Sequence, residues 1–347
     1  RLFGDDKSKH FIDNFIDQWL ILETDLEATL ASTADSARAQ EFAEAVKGES
    51  EHFLRYLITQ NESINRIINA DFTFMNASLA DFYQIDVPGL TNEFSRVDFS
   101  DVPALSNRQG IMTQANFLTT DTKSDRPASV HRGVTILKEV MCHVMGPPSG
   151  EIPDLGDIDR SLHTEPALFR MVTESDGSSC YGCHQNINPM SFPFEAFDRF
   201  GRHPMTLSQN GSLPEYAVYE AVGVANNNAA NGPVEKADTF YLDVRSGSVN
   251  FSTDYGRLIS GSFDDHQGLI SLLDQTPAFN ECLTDNLYDY VIGTNAERGL
   301  LASSSDNETQ HLSQIASKRA ALENAPGLRT LLINLIKRPE FRTIRRD

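Results

Sequence analysis

Apolar side chains recur along the first 85 residues with the spacing of amphipathic helices. In HFIDNFIDQWLIL, Phe11, Phe15, Trp19 and Leu22 fall at i, i+4, i+8 and i+11, and Ile12, Ile16 and Leu20 widen the stripe. These positions share one face of a 3.6-residue period, so the stretch predicts a helix with that face turned inward. SARAQEFAEAVKGESEHFLRYLITQ predicts a second helix, SINRIINA a short third and FMNASLADFY a fourth, with NADFTF as a turn between the last two. Pro88, Pro103 and Pro127 interrupt the following stretch and leave room for a short helix at RQGIMTQANFL. SVHRGVTILKEVMCHVMG predicts a continuous helix stopped by Gly146, Pro147 and Pro148. A proline-stiffened connector, PPSGEIPDLGD, and a short helix, EPALFRMVTES, follow.

From about residue 205 to 262 the pattern changes. YAVYEAVGVA, TFYLDVRSG and SVNFST favour strands, with NNNAANGP as an exposed loop. Helical periodicity returns in GLISLLDQ, FNECLTDNLYDYVIG and GLRTLLINLIKRPEF. No fixed-period repeat is present. The expected fold is mainly α with a small β insertion, divided as a helical N-terminal segment (1–128), a central segment (129–204), the insertion (205–262) and a helical C-terminal segment (263–347).

Composition narrows the partners. Hydrophobic residues make up 40% of the 347 and charged residues 22%, an ordinary globular balance. Asp and Glu outnumber Lys and Arg 49 to 29, for a formal net charge of −20. That charge repels nucleic acid and anionic membrane surfaces and suits a basic partner. No run of apolar residues is long enough to span a bilayer. The opening RLFGDDKSKH has neither Met nor an apolar leader, so Arg1 reads as a processing point or as a boundary within a longer chain. Any export signal is expected upstream.

The chemistry concentrates in CYGCHQNINP: Cys180, Cys183 and, directly after, His184. A structural zinc site needs four ligands, yet the other cysteines, Cys142 and Cys282, are far apart and no closely spaced histidine pair exists. A thioredoxin-like disulfide wants a strand before the first cysteine, where this chain has the polar ESDGSS. Chance occurrence is the remaining rival. Covalent haem c accounts for every element: two thiols for the two vinyl groups, and a histidine carried beneath the iron. Gly182 would let the backbone lie close to the porphyrin edge. The polar run ending at Asn188-Pro189 is where a backbone carbonyl is expected to accept the His184 Nδ1–H and fix its tautomer.

The surroundings carry a resemblance. CYGCHQNINPMSFPFEAFDRFGR resembles a C-x-x-C-H, D/N-P-x-x-F, E-x-F-D-x-x-G-R pattern. That pattern is found in planctomycete-type cytochrome c proteins built from consecutive domains of unknown function. FIDNFIDQWL, INADFTFMNASLADFYQI, GIMTQANFLT and HRGVTILKEVMC are similar to the upstream domain and junction of that family. FNECLTDNLYDYVIGT and LLINLIKRPEF are similar to its C-terminal domain. The resemblance implies an exported, haem-bearing protein and covers most of the chain outside the β insertion. Met190-Ser191 departs from the usual aliphatic residue and Gly, and His203 stands where an aromatic is usual.

The sixth iron ligand stays open between His131, His143, His203 and a water-ligated site, in that order of preference. Met190 follows His184 by only six residues and could barely round the porphyrin. His131 and His143 are twelve apart on one predicted helix, hence about 120° apart, so only one of them can face the haem. Asp154, Asp157 and Asp159 lack EF-hand spacing and read as a solvated acidic loop. Glu195 and Asp198, among Phe192, Phe194, Phe197 and Phe200, read as capping groups paired with Arg199 or Arg202. Haem attachment takes place in an oxidising compartment, so the two spare thiols are expected to form a Cys142–Cys282 disulfide. The expected function is a periplasmic or extracellular c-type cytochrome exchanging single electrons with a redox partner protein or a small-molecule electron donor or acceptor. The alternatives are a haem enzyme activating peroxide or oxygen, and a binding module in which haem organises the fold.

Overall fold

The amphipathic stripe of the N-terminal stretch becomes helix α1 (Asp6–Trp19), which buries Ile12, Phe15, Ile16 and Trp19. The architecture is known from a computed structural model, which describes residues 6–20, 26–31, 36–120, 122, 128–146, 165–174, 178–203, 217–218, 240–241, 246–292 and 316–338. Among these the chain is mainly helical, with three two-stranded sheets. After a short α2 (Leu26–Leu30), the long α3 (Ala39–Gln60) buries Phe42, Val46, Phe53, Leu54 and Leu57. It ends at Asn61, whose φ of 57° closes the last turn back onto Leu57 and Ile58. Asn tolerates that left-handed geometry better than most residues. The shorter α4 (Arg66–Asn69) and α5 (Ala77–Tyr83) follow, the latter capped by the Asn76 side chain, which accepts from Leu79 N–H at 2.9 Å.

NADFTF is not the turn its local sequence suggests. Strand β1 (Phe72–Met75) pairs antiparallel with β2 (Ser95–Asp98), Phe72 opposite Asp98. Its partner lies some twenty residues downstream, beyond the reach of a local reading, and burial of Phe72, Thr73 and Met75 holds it in place. The short helix expected at RQGIMTQANFL is a 3₁₀ turn (Ile111–Thr113) followed by α6 (Ala115–Leu118).

The helix expected over SVHRGVTILKEVMCHVMG also differs. It begins as α7 (Ser129–Thr135), widens into a π-turn at Ile136–Val140 and stops at Met141. Cys142 then takes φ 47°, and the His143 N–H turns back to Leu137 O at 2.8 Å. His131 and His143 are therefore not on one helix, and the 120° relation between them does not hold. The break has a non-local cause: Cys142 is bonded to Cys282, with Cα atoms 5.3 Å apart.

Helix α8 (Glu165–Thr173) leads to α9 (Tyr181–Ser191), which carries the cysteine motif. Helices α7 and α9 touch at Gly133, where a Cβ would lie 2.6 Å from Ile187 O and 2.9 Å from the Ser191 Cβ. Of the β insertion, the described part is a two-residue parallel pair, β3 (Ala217–Val218) with β4 (Phe240–Tyr241), and a hairpin of β5 (Gly247–Ser252) and β6 (Leu258–Phe263). Most of YAVYEAVGVA and TFYLDVRSG lies outside the described residues. The hairpin buries Val249, Phe251, Ile259 and Phe263. It packs along α9, with the Gly247 end beside Pro189.

The C-terminal helices are α10 (His266–Asp274), α11 (Ala278–Ile292) and α12 (Leu328–Ile336). One hydrophobic cluster unites the four sequence segments, joining Phe53, Leu137, Phe197, Phe251, Leu283 and Leu332. A second, around Phe42, Tyr83, Val97 and Leu105, belongs mainly to the N-terminal part.

Candidate functional site

At 100° per residue, Cys183, Cys180 and His184 project from α9 within a sector of about 100°. The chain enters this helix at Cys180, whose carbonyl accepts from the N–H of Cys183 at 3.3 Å and of His184 at 3.1 Å. Ser178 braces the entry: its Oγ accepts from Cys180 N–H at 3.2 Å and donates to Val172 O. Both thiols are free and half-buried. A side-chain Cβ at Gly182 would meet nothing within 4 Å, so no neighbouring protein atom demands glycine there.

His184 is oriented by a chain of hydrogen bonds. Its Nδ1 lies 2.8 Å from Asn188 Oδ1. The Asn188 amide nitrogen donates to Glu174 Oε1 at 2.8 Å and to Thr173 Oγ1 at 3.1 Å. Because a carboxylate only accepts, the amide nitrogen must face Glu174 and the amide oxygen must face His184. An amide oxygen also only accepts, so Nδ1 carries the proton, and in the neutral ring the lone pair is on Nε2. The acceptor expected from the sequence was a backbone carbonyl; the side chain of buried Asn188 takes that place. Phe169 on α8 lies nearly parallel to the imidazole, its ring centroid 6.4 Å away. Tyr181 and Met171, each 51% exposed, are two of the three large apolar side chains left exposed among the described residues, and both belong to the helix pair that forms this site.

Beyond α9 the chain is clamped. Arg132, fully buried, donates to the carbonyls of Leu118, Phe194 and Asp198 and lies 3.5 Å from Glu195. Burial presses its pKa down, while Glu195 and Asp198 oppose that shift. Asp198 accepts from the N–H groups of Phe200 and Arg202 and pairs with the Arg202 guanidinium at 2.7 Å. The Arg202 pairing matches the sequence expectation, but Glu195 is partnered by Arg132 from α7. Gly201 turns the chain with φ 74° where a Cβ would lie 2.8 Å from Ala115 Cα.

The other histidines separate clearly. His131 is exposed, two residues and thus about 200° around α7 from the Gly133 contact with α9. His203 is buried, its Nδ1 2.6 Å from the Asn107 amide and its ring edge-on to Phe197. His143 is half-buried with Nδ1 2.8 Å from Ser252 O and its ring 4.9 Å from Phe251. Met190 is buried in the main cluster. Asp154, Asp157 and Asp159 lie outside the described residues. No group of three or more His, Cys, Asp or Glu side chains able to hold a metal ion occurs among the described residues. A tetrahedral zinc site is therefore not assembled there, whereas a porphyrin iron asks only axial ligands of the protein.

Two buried polar groups escaped the sequence reading. Glu49 accepts from Tyr83 Oη at 2.6 Å and Thr73 Oγ1 at 2.7 Å, and burial raises its pKa. His266 bonds Asn107 O at 2.6 Å, so it and His203 converge on one asparagine. Their partners are remote in sequence and leave no local signal.

Comparison with known proteins reaches the same ground. Residues 108–206, which contain the cysteine motif, match the family model PSCyt3, described as a protein of unknown function (DUF1588). Residues 1–85 match PSD4, described as a protein of unknown function (DUF1592). Both are domains of unknown function typical of planctomycete cytochrome c-like proteins. No curated protein and no solved structure matches the chain. No helix among the described residues is long and apolar enough to cross a membrane.

Proposed function

We propose that the chain is an exported c-type cytochrome that binds one haem through thioethers at Cys180 and Cys183, with His184 as proximal iron ligand, and passes single electrons to a redox partner. The observation that carries this reading is the state of His184: Asn188 holds its Nδ1–H, so the Nε2 lone pair is presented in the same sector as two unpaired thiols. The residues fit the group. The thiols are half-buried rather than sealed in the core, the glycine between them stands in open space, and the apolar surfaces of Tyr181 and Met171 are uncovered. Haem would supply reversible one-electron Fe(III)/Fe(II) chemistry. The protein's part is to fix the imidazole: the Asn188–Glu174 bond holds the amide, and the amide holds the ring. The Cys142–Cys282 bridge favours an oxidising compartment such as the periplasm or the cell exterior. The net charge of −20 favours a basic partner protein.

The test is expression in a host with haem c maturation, followed by denaturation in acidified acetone. Protein that keeps its colour, with an absorption spectrum of thioether-linked haem, supports the proposal; a colourless precipitate refutes it.

A further inference from the structure

Resting on the cytochrome reading, we infer that His143 supplies the sixth iron ligand, giving a bis-histidine centre. His143 shares with His184 the feature that marks a prepared ligand. Its Nδ1 lies 2.8 Å from a backbone carbonyl, Ser252 O, which only accepts. Nδ1 therefore carries the proton, and Nε2 is left as a lone-pair donor with no hydrogen-bond partner among the described residues.

The backbone around His143 is over-determined for a half-buried surface residue. A π-turn precedes it, a feature often found at functional sites. Cys142 is held at φ 47° and bridged to Cys282, and its carbonyl accepts from Asp254 N–H at 2.9 Å. The His143 N–H bonds Leu137 O, and the Val144 N–H bonds the Asp254 carboxylate at 3.3 Å. A non-glycine residue persists in the left-handed region where its surroundings enforce it.

Two elements lead from α9 to His143. Arg132 bonds Phe194 O just beyond the C-terminal end of α9, and Gly133 meets Ile187 and Ser191. The π-turn that follows also packs on α9. Independently, β5 starts beside Pro189, packs along α9 and ends at Ser252, the residue that holds the His143 ring. His131 is exposed and lies about 200° around α7 from the Gly133 contact with α9; His203 is enclosed.

Spin state tests the assignment in the haem-loaded protein. Wild type is expected to be low-spin, and His131→Ala to remain so. His143→Ala is expected to lose at least nine-tenths of its low-spin signal in absorption and electron paramagnetic resonance, with added imidazole restoring it. His143→Met, which keeps an apolar contact with Phe251, is expected to replace the bis-histidine signature with that of a histidine–methionine iron, and it decides the matter if the alanine variant does not fold. A high-spin wild type, or unchanged low-spin signals in either His143 variant, overturns the assignment. Absence of covalent haem from wild type overturns the cytochrome reading instead, so the two failures are distinct.

Discussion

The four cysteines form two pairs that the fold treats in opposite ways. Cys142 and Cys282 are 140 residues apart, buried, and joined. Cys180 and Cys183 are three apart on one helical turn, half-buried, and unjoined. The difference follows from where each pair sits. The distant pair locks the break after the π-turn to α11 inside the core, where the Asn286 amide and the Trp19 indole N–H both donate to Glu139 O beside the Cys282 sulfur. The adjacent pair stands at the start of α9 beside uncovered apolar side chains and an oriented imidazole. One pair is a staple; the other is kept available.

That contrast makes stability predictions of unequal size. The double variant Cys142→Ala/Cys282→Ala releases a 140-residue loop, and loop-closure entropy puts the loss at about 5 kcal/mol before strain is subtracted. Denaturant unfolding with and without reductant measures it: wild type should fall towards the variant when reduced, and the variant should not respond.

Asn188→Ala should cost about 1.5 kcal/mol, because buried Thr173 and exposed Glu174 lose their shared amide donor. The same denaturant titration on Gln185→Ala, an exposed neighbour, should show a change within about 0.5 kcal/mol.

Far from both pairs, burial and the nearby Asp13 and Asp17 push Glu51 up to about 7, with Lys47 and Arg55 opposing. A carboxyl raised above its unfolded value of 4.5 contributes stability that is full below 4.5 and lost as pH rises through about 7. Glu51→Gln should therefore match wild type near pH 4 and exceed it above pH 7. Allowing for solvent screening, the gain is about 1 kcal/mol, read from unfolding midpoints across that pH range.

The smallest effect belongs to the available pair. Cys180→Ala/Cys183→Ala in haem-free protein should change stability by no more than about 0.5 kcal/mol, since neither thiol bonds to the other. A loss comparable to that of the Cys142–Cys282 variant would mean that both pairs are structural and would remove the contrast.

What could be read along the chain was whatever has a local signature. The stripe Phe11, Phe15, Trp19 forecast α1 because helical burial repeats within a few residues. Cys180, Cys183 and His184 stood out because their chemistry depends on near-neighbour spacing. The Nδ1 acceptor was expected in the right stretch but in the wrong atom, since i+4 geometry brings the Asn188 side chain, not a carbonyl, to the ring. Strand β1 was missed because its partner is distant. His131 and His143 were placed about 120° apart on the premise of one continuous helix, which the Cys142–Cys282 bond and the hooks from Asp254 break. Those forces come from residues more than 100 positions away, and periodicity carries no trace of them.

The most direct measurement is a peptide map of mature, non-reduced protein from a host that attaches haem c. The peptide containing Cys180, Cys183 and His184 should be heavier by one haem, while the peptides containing Cys142 and Cys282 should run as one linked species. A Cys180–His184 peptide of unmodified mass, or one oxidised to an internal disulfide, would contradict the account.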